Sequence, residues 1–105
     1  MDTFTVNLTE KSQFADSGIV SKTILDEPYS KVVLFTFSKG QCLSEHTASM
    51  PAVIHFLSGR AKTLLGETWN DCGPGSWCFM PAGLNHAITA EEDTVMLLTL
   101  YNKGD

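Results

Sequence analysis

Apolar and polar residues change places along this chain in short runs, each closed by glycine, proline or a small polar residue, and not with a helical period. Strand-like runs fall at residues 18–25, 31–38, 52–58, 61–65, 76–80, 85–90 and 94–101. Between them stand Lys39-Gly40, Ser58-Gly59, Gly66-Glu67, Cys72-Gly73-Pro74-Gly75 and Pro81-Ala82-Gly83, all of them combinations that reverse a chain. Short strands with this punctuation predict an all-β sandwich or barrel. Only residues 9–15 have room for a helical turn.

Two runs are apolar on both faces. Val33, Phe35 and Phe37 alternate with Val32 and Leu34, and Met96, Leu98 and Leu100 alternate with Val95, Leu97 and Tyr101. A strand with one face in water should alternate apolar with polar, so both runs should be covered twice. In so small a chain the expected cover is a second protomer, giving a homodimer packed through sheet faces. The alternative cover is the N-terminal arm, residues 1–16, which could itself reach a partner protomer.

The chain has 105 residues, 43% hydrophobic and 18% charged, which fits one domain spanning 1–105 and excludes separate cofactor and substrate lobes. At this size roughly 60–70% of the unfolded chain's surface can be buried, so a core is possible without disulfides or structural metal. Seven Lys and Arg against twelve Asp and Glu give a net charge of −5, with no basic run. Nucleic acid and membrane are therefore not expected as partners. The first fifteen residues lack the basic start and apolar stretch of a secretory signal, and the longest apolar stretches, 32–35 and 95–98, are too short to span a bilayer. A soluble cytoplasmic protein is the expectation. Cys42, Cys72 and Cys78 are odd in number and lack finger spacing, which argues against a disulfide scaffold or structural zinc.

The chemistry centres on the three histidines, His46, His55 and His86. His46 follows Gly40 by six residues in a segment that Gly59 closes, and His86 follows a run from Gly75 through Pro81-Ala82-Gly83. These segments resemble the two motifs of the cupin superfamily. The first motif places a His-x-His pair after a glycine and five residues, then a glutamate and a closing glycine; Gly40, His46 and Gly59 fall on register. The second leads from a glycine to Pro-x-Gly and then to a histidine; Gly75, Pro81, Gly83 and His86 match. The resemblance covers about residues 32–101 and implies a double-stranded β-helix, a jelly-roll barrel of the RmlC-like type.

The resemblance also implies a metal site, which is depleted here. The second histidine of the first motif falls on Ala48, its glutamate on Ala52 and the second motif's asparagine on Ala90, leaving His46 and His86. Two imidazoles would hold a divalent metal (Zn, Fe, Ni or Mn) only weakly, since such ions usually take three or four protein ligands. Strand alternation puts His55 on the outer face, and places Cys42 on the same face as His46 but too far along to share an ion.

Alanines in place of a histidine and a glutamate make the expected pocket larger and more apolar. Its expected walls are Met50, Ile54, Phe56, Trp77, Phe79, Met80 and Met96. The sequence reading is thus a small stand-alone cupin that binds a small molecule in a barrel pocket, with His46 and His86 as polar anchors or weak metal ligands. A metal-dependent cupin dioxygenase, which needs a further ligand, is the alternative. A metal-free isomerase or epimerase with a histidine base comes third.

Overall fold

The computed structural model describes residues 3–102; the outermost residues of the expected domain and arm, 1–2 and 103–105, lie outside them. Among the described residues a single helical turn, α1 (Leu8–Lys11), precedes nine strands: β1 (Ile19–Glu27), β2 (Ser30–Phe37), β3 (Cys42–His46), β4 (Ala52–Ser58), β5 (Ala61–Leu65), β6 (Thr68–Cys72), β7 (Trp77–Met80), β8 (His86–Ala90) and β9 (Thr94–Tyr101). The turn forms where Asn7 caps it, its side-chain oxygen accepting from Glu10 N at 3.1 Å. No helix among the described residues is long and apolar enough to cross a membrane.

The strands form two antiparallel sheets, in the orders β1-β2-β9-β4-β7 and β3-β8-β5-β6. Their facing surfaces make one core. Phe37, Ile54, Phe56, Met80 and Met96 come from the five-stranded sheet, and Ala61, Cys72, Ile88 and Ala90 from the four-stranded one. Phe37, Ile54, Phe56, Ile88 and Met96 are at most 1% exposed, so this part of the interior is filled with side chains at close packing. The expected double-stranded β-helix is therefore the observed fold.

The β4–β5 turn sits tightly on the β8–β9 turn. Gly59 has φ +87°, and a Cβ there would collide with the Asp93 carbonyl and lie 2.6 Å from Thr94 Cα. Thr94 Oγ1 bonds the Arg60 and Glu92 carbonyls at 3.1 and 2.8 Å, and Glu91 N donates to Arg60 O at 2.8 Å. One bare backbone thus lets two reversals nest.

The doubly apolar strands β2 and β9 gain part of their second cover from their own chain. Thr36 Oγ1 donates to Gln13 O at 2.6 Å, Ser38 Oγ to Ala15 O at 2.7 Å, and Gln41 Nε2 to Ser17 Oγ at 3.2 Å. Phe14 borders a surface cavity of about 340 Å³ with Leu57 and Val95. The arm therefore lies on the outer face of its own five-stranded sheet. Beyond it, at the β7 edge, Trp77 and Phe79 stay exposed.

Candidate functional site at the open end of the barrel

β3 and β8 are neighbours, with Leu43 opposite Ile88 and His46 opposite His86. Regular pairing from Leu43 onward would bring Glu45 to His86; an extra residue in β3 shifts the register so that His46 arrives instead. The bulge also changes which residues share a face. Leu43 packs against the core and shares the inner side with His46, so the expectation that Cys42 lies on the histidine's face is corrected; Cys42 is exposed.

The two imidazole rings lie with centroids 4.1 Å apart and planes tilted by 58°. Each is oriented by the carbonyl two residues before it: His46 Nδ1 lies 2.7 Å from Ser44 O, and His86 Nδ1 lies 2.9 Å from Leu84 O. A carbonyl only accepts, so Nδ1 carries the proton and the neutral ring keeps its lone pair at Nε2. Two such rings cannot satisfy each other, because both Nε2 atoms are acceptors. His86 is 6% exposed, whereas His46 is open to solvent, so the pair stands where the interior meets water. Beside it, Asn85 Nδ2 donates to Glu45 Oε1 at 2.8 Å, holding together the residues adjacent to both histidines.

The predicted walls separate into three groups. Ile54, Phe56, Met80 and Met96 face inward but are only 1–3% exposed, as parts of the packed core. Met50 lies in the β3–β4 connection, half-buried. Trp77 and Phe79 are not brought to the interior: they pair with His55 and Val53 on the outer face and are 63% and 53% exposed. Inward-facing Cys78 and Met80 fix that alternation, since side chains on a strand switch faces at each residue. The apolar side chains that touch the core yet keep some exposure are Ile19, Phe35, Leu43, Leu65, Leu84, Leu98 and Leu100, with Leu65 paired directly to His86. Leucine at these positions reads as ordinary core in a sequence, so nothing marked them. His55 stands on the outer face as expected, half-exposed between Trp77 and Leu97.

Thr63 adds a polar atom that the sequence did not mark. It faces inward on β5 opposite Ile88, diagonal to His86 at roughly 7–8 Å. It is 0% exposed, and its hydroxyl has no partner among the described residues. A buried hydroxyl without a partner costs about 1–3 kcal/mol. Thr63→Val should therefore raise stability by about 1 kcal/mol, seen as a higher urea midpoint at unchanged slope. A lower midpoint would mean that the hydroxyl is already satisfied.

The metal that the scaffold implies needs more than this pair. No group of three or more His, Cys, Asp or Glu side chains able to hold an ion occurs among the described residues. Ala52 and Ala90, at the positions of the missing glutamate and asparagine, are each 1% exposed in the core. These residues do not fit a three- or four-ligand centre. What they provide is two neighbouring imidazoles at the edge of an apolar interior.

The sequence matches no family model and no curated protein. Solved structures match it throughout. A conserved Streptococcus pyogenes protein of unknown function is 25% identical with a TM-score of 0.88, over 100% of this chain and 92% of that one. An RmlC-like cupin from Desulfovibrio desulfuricans is 25% identical with a TM-score of 0.86, over 95% and 97%. A cupin 2 conserved barrel domain protein from Leptotrichia buccalis is 31% identical with a TM-score of 0.86, over 92% of this chain and 47% of that longer one. The barrel, the two motif histidines facing each other at its edge and these likenesses agree: the chain belongs to the cupin superfamily.

Proposed function

We propose that this cupin binds a small, largely apolar molecule at the open end of its barrel, with His46 and His86 as the anchors. The observation that carries the reading is the commitment of both Nδ1 protons to backbone carbonyls, which leaves an Nε2 lone pair on each of two rings whose centroids are 4.1 Å apart. Lone pairs call for a donor. The ligand's anchoring group is thus a hydroxyl or an N–H, or a weakly held divalent ion completed by water or ligand. Leu43, Leu65 and Leu98 supply apolar surface for the rest, and the Thr63 hydroxyl has capacity for one more polar contact.

Phenol and benzene separate the anchor from the apolar contact, because they differ by one hydroxyl. In NMR titrations of histidine-labelled protein, phenol should move the His46 and His86 side-chain signals with a millimolar dissociation constant, and benzene should not. Zn²⁺ added alone should move the same signals weakly. Signals unmoved by both phenol and Zn²⁺ would refute the reading.

A second copy of the chain is the proposed occupant of the uncovered outer sheet face. Trp77, Phe79 and Tyr101 are exposed there, and the outward positions of β4, β7 and β9 carry no Asp, Glu, Lys or Arg. Two copies of a chain with net charge −5 can meet on such a face without like charges opposed. Sedimentation should find a dimer that Trp77→Glu with Phe79→Glu turns into a folded monomer; a monomeric unsubstituted chain would exclude this contact.

A further inference from the structure

Away from the histidines, a second pair of reactive side chains meets inside the barrel. Cys72 ends β6 in the four-stranded sheet, and Cys78 lies in β7 of the five-stranded sheet. Their sulfurs are 3.9 Å apart, and the residues are 4% and 8% exposed. Both are free thiols in the core. The connection between them is a compact turn: Ser76 N donates to Gly73 O at 2.9 Å and Gly73 N to Ser76 Oγ at 3.0 Å. It is docked on β4 through Gly75 N to Phe56 O and Phe56 N to Ser76 O, at 2.8 and 2.9 Å. The two sulfurs are thus held near each other by both sheets and by a folded turn.

We propose that Cys72 and Cys78 form a modification site, a dithiol that a hydroperoxide converts to a disulfide tying the two sheets together. One sulfur attacks the O–O bond, forming a sulfenic acid as a first water leaves with the thiol proton. The second sulfur then attacks the sulfenic sulfur; an S–S bond forms, the S–O bond breaks and a second water departs. Two thiols and one hydrogen peroxide become one disulfide and two waters, with both sulfurs oxidised and both peroxide oxygens reduced. The bond needs the sulfurs to close to about 2.05 Å, a movement within reach of side-chain rotation and a small shift of the turn. Burial, with Cys72 beside it, pushes the Cys78 thiol up to about 12. The reactive thiolate is therefore scarce at neutral pH, so oxidation waits on opening of the turn and is slow.

This site is separate from the histidine pair. Cys72 is opposite Ala61 on β5 and His86 is opposite Leu65, four residues further along, or roughly 13 Å. A disulfide there would restrain the chain without altering the anchors. It closes the short loop 72–78 and should raise Tm by roughly 10 °C.

The test uses the Cys42→Ser chain, in which the exposed thiol cannot react, treated with hydrogen peroxide while folded. The expected product has lost two hydrogens, yields a Cys72–Cys78 cross-linked peptide, unfolds at a higher temperature and reverts with dithiothreitol. Two thiols still titratable after denaturation, sulfinic acids, or cross-links between chains as the main product would each overturn the proposal. Adding Cys78→Ser should abolish the intramolecular product, and its persistence would do the same.

Discussion

Replacing Gly59 by alanine is expected to cost about 4 kcal/mol, which would cut a domain of ordinary stability, about 5–15 kcal/mol, to about 1–11 kcal/mol. Two terms add. A residue with a Cβ at φ +87° carries backbone strain of about 1–2 kcal/mol. The new methyl also meets the Asp93 carbonyl and the Thr94 backbone, neither of which can turn aside as a side-chain end would. Gly40 separates the terms, because it has the same φ of +87° and nothing within 4 Å of an added Cβ. Gly40→Ala should therefore lose only the strain, about 1–2 kcal/mol. Urea denaturation of both variants reads the difference, and equal losses would show that the nesting of the two turns is not what requires glycine.

The second large effect concerns binding. With His46 and His86 both changed to alanine, the discrimination between phenol and benzene should vanish, because both anchoring lone pairs are removed. The single variants should differ in stability. His86 is buried and loses its bond to Leu84 O, so His86→Ala should destabilise by about 1–2 kcal/mol. His46 is exposed, and its replacement should stay within about 0.5 kcal/mol. Phenol discrimination left intact in the double variant would assign the hydroxyl to another acceptor.

The two histidines were legible because turn residues locate them: Lys39-Gly40 sets the start of the segment bearing His46, and Pro81-Ala82-Gly83 turns the chain into His86. Their juxtaposition was not legible from alternation alone, since it depends on one extra residue in β3 that no residue type announces. The seven expected runs became β1, β2, β4, β5, β7, β8 and β9, while β3 and β6 were not among them. Both are edges of the four-stranded sheet; Ser44, Glu45, Asn70 and Asp71 make their composition that of a loop. Size misled at β7. Trp77 and Phe79 looked like interior walls, but the smaller Cys78 and the flexible Met80 take the inner positions, and the aromatics extend an outer face. Thr63, chemically ordinary in a strand, became informative only through its burial and its unpartnered hydroxyl.

The central claim is that the neighbouring rings of His46 and His86 each present an unprotonated Nε2 atom. Long-range proton–nitrogen correlation on protein labelled with ¹⁵N in histidine, recorded at pH 8, measures it directly. The account predicts the Nδ1–H tautomer at both residues, with both Nε2 resonances moving together when phenol is added. An Nε2–H tautomer at either histidine, fixed by a hydrogen bond to the other ring, would contradict it.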